Sequence, residues 1–423
     1  MDNCHILVSG RWDNVLSVVD FRRALDPKNN GTSNAIINRP RVTPDVDSDG
    51  DGVPDAIASG QPVNVVIPKT GRYAYVVNHS GRATPATAAA FQHGHPGVIT
   101  VVDLVAALDP ASNGTTKAIA GLIPTGLSGP VGAAMTPDEK YLLVSCAEAS
   151  ESEDGGAEVT VIDVTTRKVV RQIPMAVKKV DGKDPVPSMH PAPHPCYGNF
   201  PDPNGIAVSA DYIFTGNGGT DDVSVIDLKR ALAGDAKAEI ARVPVEAGPF
   251  GIAVSPDGKL LAVASRENAR TGVEGRTISL IDIARAAKGA PDAERARVMV
   301  GTDNASVATR PFAVAFTKDG KHVIATCFRS NTVSLVDVAK ALATQPAEVV
   351  RFEVPTSDGS QSRPRGIALT PDGRYAAITG GAKTGAGSSM LFLLEIPDMK
   401  LAATVTNVGN ESYLLDILPA PRM

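Results

Sequence analysis

Five of the chain's seven histidines fall in two stretches, 78–97 and 174–204. His79, His93 and His95 belong to the first; His190 and His194, with Cys196 two residues on, belong to the second. The spacings His93-x-His95 and His190-x-x-x-His194-x-Cys196 are short enough for shared ligation, and imidazole with thiolate suits zinc or copper. The same residues also fit two plainer roles. Proline follows His95, His190 and His194, as in histidines that pack inside loops, and a Cys146–Cys196 disulfide would tie the second stretch down in an oxidising compartment. A second set is cationic: Arg11, Arg82, Arg266, Arg310, Arg329, Arg363 and Arg365 lie near expected strand ends. Guanidinium forks bind carboxylate or phosphate through paired hydrogen bonds, so these arginines point to an anionic ligand. Pairing with Asp13, Glu148, Glu267 or Asp221 would neutralise them instead. Cys327, at an expected strand end, reads as a small buried side chain rather than a nucleophile.

Residues 45–58 carry a third chemistry. In Asp45-Val-Asp47-Ser-Asp49-Gly50-Asp51-Gly52-Val53-Pro54-Asp55 carboxylates alternate and a glycine follows, the pattern that wraps oxygen ligands round a hard cation. Calcium is the expected ion, held by Asp47, Asp49, Asp51, the Val53 carbonyl and Asp55, with Gly52 making the turn. The loop resembles those of thrombospondin type 3 repeats and dockerins. Ala58 stands at the twelfth position, where an EF-hand has its final glutamate, which lowers the expected affinity. A loop of that strength works where calcium is millimolar, so it argues for the periplasm or cell exterior; the alternative is a solvated acidic loop.

Composition removes several classes of function. A net charge of −5 with a single tryptophan leaves neither a basic footprint nor a stacking platform for nucleic acid. No apolar run reaches the roughly 20 residues of a membrane span. The four cysteines include no C-x-x-C and no C-x-x-C-H. No nucleophile elbow, P-loop, H-E-x-x-H or dinucleotide fingerprint occurs. No leader is visible at Met1-Asp2-Asn3-Cys4, which fits a cytosolic chain or one whose leader has been removed.

The elements that must position these residues follow from a repeat. Gly251-Ile-Ala-Val-Ser-Pro-Asp-Gly-Lys-Leu-Leu-Ala-Val-Ala recurs from Ala313 and from Gly366, with looser copies from Asn64, Gly132 and Gly205. Each copy reads as strand, tight turn, strand, and the apolar runs suit burial on both faces. A third strand then ends on an acid, at Asp20, Asp103, Asp163, Asp227, Asp282, Asp337 and Glu395. Seven third strands against six complete first strands leave one deficit, which Ser412–Leu418 can fill. The prediction is an all-β, seven-bladed β-propeller over 1–423, closed by N- and C-terminal strands that share one blade. A further duplication, Ala24-Leu-Asp-Pro against Ala107-Leu-Asp-Pro, relates the first two blades.

With Tyr75-Val76-Val77-Asn78 at the name-giving position, the chain resembles the YVTN family of propeller repeats. That family includes surface-layer proteins and is similar to the propellers of several periplasmic redox enzymes, so the resemblance implies a fold more than an activity. Copper-cluster propellers place histidines just before the innermost strands. Here those positions read Gln61-Pro62, Gly129-Pro130, Asp202-Pro203, Gly248-Pro249, Arg310-Pro311 and Arg363-Pro364, which argues against a copper cluster on the axis. In such a blade the insertions 78–97 and 174–204 leave from one face, with Cys146 and Glu148 between them. Two functions compete on that face: a binding propeller for a small anion or a protein partner, and a metal-dependent hydrolase, lyase or oxidoreductase acting on an anionic small molecule.

Overall fold

The acid that ends each third strand does a local job. Asp20, Asp103, Asp227, Asp282 and Asp337 each accept a backbone N–H two or three residues on and so cap the short helix that follows the strand. Asp163 instead closes a turn on Thr166. Asp26 and Asp109, in the duplicated Leu-Asp-Pro segments, cap matching single turns of 3-10 helix. The hairpin turns are equally regular: Ser255, Thr317 and Thr370 donate to Asp257, Asp319 and Asp372, and Gly258, Gly320 and Gly373 take φ near +70°. In the looser copy at Gly132, Glu139 adopts that conformation (φ 56°) without being glycine.

The structure is a computed structural model that describes residues 4–46, 51, 53, 56–57, 60–69, 71–79, 96–148, 155–177, 200–268, 271–355, 361–381 and 389–418. The chain divides into two compact units, Met1–Pro130 with Pro355–Met423, and Val131–Val354.

In the first unit, Ser412–Leu418 pairs with His5–Gly10, which pairs with Val15–Asp20 and then Ile36–Asn38, so strands from the two ends of the chain share one antiparallel sheet. A second sheet runs Pro62–Val66, Tyr73–Asn78, Pro96–Asp103 and the first part of Ile119–Met135. A third runs Ile367–Leu369, Tyr375–Gly381, Ser389–Glu395 and Lys400–Val405. The loop predicted to bind calcium is pinched at its base by a two-stranded ribbon, Asp45↔Ile57 and Val46↔Ala56.

The second unit repeats the plan. The end of Ile119–Met135 lies beside Tyr141–Glu148, followed by Gly155–Asp163 and Lys168–Pro174. Pro203–Val208, Tyr212–Asn217, Asp222–Asp227 and Glu239–Pro244 form the next sheet. Then come Pro249–Val254, Leu260–Ser265, Thr277–Asp282 and Glu294–Met299, and last Pro311–Phe316, His322–Cys327, Thr332–Asp337 and Glu348–Glu353. A small extra hairpin, Glu267–Asn268 with Val273–Glu274, is inserted between the second and third strands of the third of these sheets.

The core lies between neighbouring sheets in each unit. Second strands such as Leu260–Ser265 are buried almost end to end, because both faces meet an adjacent sheet. Outermost strands such as Lys168–Pro174 are mostly exposed. Each fully buried Leu or Val in these layers contributes about 1.5–3 kcal/mol. No helix among the described residues is long and apolar enough to cross a membrane.

Candidate functional site

The residue before each innermost strand has a left-handed backbone: Gln61, Gly129, Asp202, Gly248, Arg310, Arg363 and Glu411 have φ between 46° and 59°. Six precede proline, and Glu411 precedes Ser412. Five of the seven are not glycine, and each such residue stores roughly 1–3 kcal/mol of backbone strain. The bend has a positioning role. Its carbonyl accepts the N–H of the residue just past the second strand: His79 to Gln61 at 3.1 Å, Gly218 to Asp202 at 3.1 Å, Arg266 to Gly248 at 2.9 Å and Phe328 to Arg310 at 3.0 Å. The residues with chemistry at these sheet ends are thereby held by backbone.

In the first unit this arrangement gathers Arg11, Trp12, Gln61, Arg365, Glu411 and Tyr413. Arg11 Nε donates to Gln61 Oε1 at 3.2 Å and its terminal nitrogen to the Tyr413 hydroxyl at 3.4 Å. Its guanidinium lies 4.9 Å from the centre of the Trp12 ring and 5.2 Å from that of Tyr413. Glu411 accepts from the Trp12 indole N–H and pairs with Arg365 at 3.1 Å, and Arg11 is 3.8 Å away. The Arg365–Glu411 pair is enclosed, with side chains 1% and 8% exposed. These contacts join the C-terminal strand to three other strands, with the one carboxylate of Glu411 shared between Arg365 and Arg11, so both arginines of this cluster are tied into structure. Arg363 starts the neighbouring bend at φ 46°.

The second unit differs. Arg310, on its own strained bend, pairs with Glu267 at 2.9 Å and with Glu274, and Arg329 also pairs with Glu274. Glu267 and Glu274 sit directly opposite each other on the small hairpin. Like charges in that register repel, and Arg310 bridges them. Arg266 rests its guanidinium 5.2 Å from the centres of both Phe250 and Phe312, which are buried. Its Nε is buried and meets no acceptor, and among the described residues it has no carboxylate partner. Cation–π contact holds this charge in place without neutralising it.

Of the arginines expected to bind an anion, the structure therefore groups Arg11 and Arg365 in one cluster, and Arg266, Arg310 and Arg329 in another; Arg82 lies outside the described residues. Glu267 is a partner, as the pairing alternative had it. Asp221 instead accepts from Gly248 N and Asn268, and Asp13 from Asn410 N, with burial pushing the Asp13 carboxyl up.

Of the expected transition-metal donors, His79 is described, with Nδ1 3.3 Å from the Pro130 carbonyl. His93, His95, His190, His194 and Cys196 lie outside the described residues. Cys146 is a free thiol, which corrects the disulfide alternative: it is 1% exposed, with Sγ 3.8 Å from Thr160 Oγ1, and burial pushes it up to about 12. Cys327 is likewise buried, 3.8 Å from Ser334 Oγ and pushed up to about 12, so neither is a thiolate nucleophile. In the loop expected to bind calcium, Asp51 and Val53 are exposed and Asp51 Oδ1 accepts Val53 N at 2.8 Å. Asp47, Asp49, Gly52, Asp55 and Ala58 lie outside the described residues.

A cavity of about 580 Å³ runs along the outermost strand Glu294–Met299, at the opposite edge of its sheet from Phe250. Its walls include Arg297, held by Glu294, and Asp303 and Glu348, both held by Arg351. It is self-neutralised and remote from the strained bends.

No family model matches the chain, and no curated protein matches it. Solved structures do. The chain is similar to the periplasmic gluconolactonase PpgL of Pseudomonas aeruginosa at 15% identity, covering 99% of this chain and 100% of that one, with a TM-score of 0.64. A putative 6-phosphogluconolactonase from Bacteroides uniformis gives 12% identity, 99% and 100% coverage and 0.60. The hydrazine synthase of Kuenenia stuttgartiensis gives 19%, 82% and 80%, and 0.54. At these identities the likeness is one of fold: the protein is all-β and propeller-like.

Proposed function

We propose that this protein is a closed, seven-bladed β-propeller of the YVTN kind that binds a small anionic ligand at the Arg266, Arg310 and Arg329 corner. The observation that carries the reading is the Arg266 guanidinium, fixed on Phe250 and Phe312 and lacking an acceptor. A preorganised cation without a counter-charge gains from an incoming carboxylate or phosphate, because its orientation and the burial of its Nε are already set by the fold. The test is a thermal-shift panel of small organic acids and phosphate esters on wild type and Arg266→Gln. At least one anion should raise the melting temperature of wild type and not of the variant; identical responses across the panel would refute the site.

The finer parts of this reading have their own support. The ribbon Asp45↔Ile57 and Val46↔Ala56 holds together the ends of the loop in which Asp47, Asp49, Asp51, the Val53 carbonyl and Asp55 would ligate calcium. Calcium at 100 times its dissociation constant would add about 2.7 kcal/mol to stability, so adding a chelator should lower the melting temperature; an unchanged value would remove calcium from the proposal. A calcium loop of this kind supports a periplasmic or extracellular setting.

A metal-dependent enzyme is the second reading, and His79 favours it. An imidazole whose Nδ1 meets a backbone carbonyl is oriented as metal-bound histidines are. Its Nε2 would then join His93, His95, His190, His194 or Cys196 on zinc or copper. Stoichiometric transition metal in protein purified without a histidine tag, lost in His79→Ala, supports that reading; calcium alone opposes it.

A further inference from the structure

The outermost strand of a sheet leaves a row of backbone donors and acceptors unpaired, and proteins blunt such edges against pairing with other strands. In the first unit two loops do this with the same three residues. Asn30 Oδ1 accepts Thr404 N at 2.9 Å, Gly31 N donates to the Thr404 carbonyl at 2.8 Å and the Thr32 carbonyl accepts Thr406 N at 3.0 Å, so this loop runs parallel to the edge of Lys400–Val405. Asn113, Gly114 and Thr115 repeat all three bonds, at 3.0, 2.9 and 2.9 Å, on Arg39 and Arg41 just past Ile36–Asn38.

Proline blunts three more edges. Counted from the acid that ends each third strand, Met299 facing Thr277 has the register of Pro124 facing Val98, Pro174 facing Glu158 and Pro244 facing Asp222. Val300 N donates inward to the Arg276 carbonyl at 3.0 Å, so the alternation of the ladder turns the N–H groups of Arg297 and Met299 outward. Proline at the second of these positions has no N–H to offer. In Glu348–Glu353 the exposed, charged Glu353 stands there, facing Thr332. Glu294–Met299 has none of these devices, although Arg297 and Met299 hold the register that Thr404 and Thr406 hold in the first unit.

The loop placed to cover this edge falls short. Residues 343–347 follow the helix Val338–Leu342, which packs beside the strand, and they fold back on that helix: Thr344 N donates to the Ala341 carbonyl at 3.1 Å and Gln345 N to that of Lys340 at 2.9 Å. No hydrogen bond among the described residues reaches the outward backbone of Arg297 or Met299. The cavity of about 580 Å³ lies along this edge, lined by every residue of the strand and by residues 344–348. Glu294 is committed to Arg297 and Ser279, and Asp303 and Glu348 to Arg351. Arg295 is exposed, lines the cavity and has no partner among the described residues.

We infer that this groove is a strand-docking site for an extended, acidic segment of a protein partner. The segment pairs parallel to Glu294–Met299, as the Asn-Gly-Thr loops pair with their edges, and sets a carboxylate against Arg295. This surface does not depend on anion binding at Arg266.

The probe is a blocked, fluorescently labelled peptide with the sequence of residues 109–116, which contains the Asn-Gly-Thr segment and one aspartate. Fluorescence polarisation should show it binding the full chain. Sarcosine in place of its glycine removes the donated N–H and should weaken binding at least tenfold. Arg297→Pro should do the same, whereas Arg297→Ala, which keeps the backbone N–H, should stay within threefold of wild type. Arg295→Glu should weaken binding at least fivefold, and unchanged binding would refute the acidic requirement. If the peptide does not bind, or the glycine and sarcosine peptides bind alike, the docking site is refuted without recourse to any protein variant. If wild type sediments as a dimer that Arg297→Pro splits, the edge pairs with a second copy of this chain and the separate partner is refuted.

Discussion

The two arginine clusters are built on the same backbone device and differ in how their acids are shared: in the first both arginines reach a carboxylate, whereas in the second Arg266 does not. In the first unit a strained residue supplies the counter-charge: Glu411, at φ 52°, takes Arg365, the Trp12 indole and the edge of Arg11. In the second unit the strained residue is Arg310, which brings another cation; the acids come from an inserted hairpin and are used up on Arg310 and Arg329, leaving Arg266 open. A charge balanced by a neighbour ties strands together, whereas a charge balanced only by an aromatic face is kept for something else.

The sharpest way to break this comparison is Glu411→Ala. It strands the nearly fully buried Arg365 and removes the acceptor of the Trp12 indole, and losing one partner of a buried pair costs about 3–5 kcal/mol. Urea unfolding should show that loss, and because Trp12 is the single tryptophan, its emission should change in the folded variant. Combining it with Arg365→Met should restore much of the stability. A loss under 1 kcal/mol for Glu411→Ala would mean the first cluster is not the structural one.

A smaller effect concerns Asp416, on the same C-terminal strand. Its carboxylate accepts Ile67 N and Ile417 N, each at 2.8 Å, and has no cationic partner among the described residues; burial pushes it up to about 6. Because the folded value lies above the unfolded one, its contribution is fully present below about pH 4 and is lost as pH rises through 6, a change of about 1–3 kcal/mol. Asp416→Asn should flatten that part of the stability–pH profile. An identical profile for the variant would show that Asp416 stays ionised at no cost.

The smallest expected effect is at Arg266. Arg266→Gln removes a cation–π contact but no ion pair, so stability should fall by less than about 1 kcal/mol. A loss as large as that for Glu411→Ala would place Arg266 in a structural role and erase the difference between the clusters.

Much of the local structure was legible before any coordinates. The third strands end on aspartate because that side chain caps the next turn, and the Asp-Gly hairpins announce themselves through a residue that must accept positive φ. The X-Pro dipeptides before the innermost strands were visible too, but proline disfavours a helical backbone in the residue before it and gives no hint of a left-handed one. That conformation exists because the carbonyl at the bend must meet the end of the second strand. Trp12, Tyr413, Glu274 and Phe250 escaped notice because single residues of common type carry no spacing signal.

The sequence by itself determined the strands, their turns and caps, and the presence of cations near strand ends, since these depend on residues within a few positions of one another. Which arginine is neutralised was decided only by the tertiary structure. Trp12 and Glu411 are 399 positions apart, and Arg310 reaches Glu267 across 43. Electrostatic pairing depends on distance in space and on exclusion of water, and neither quantity exists for a charge until the sheets have packed.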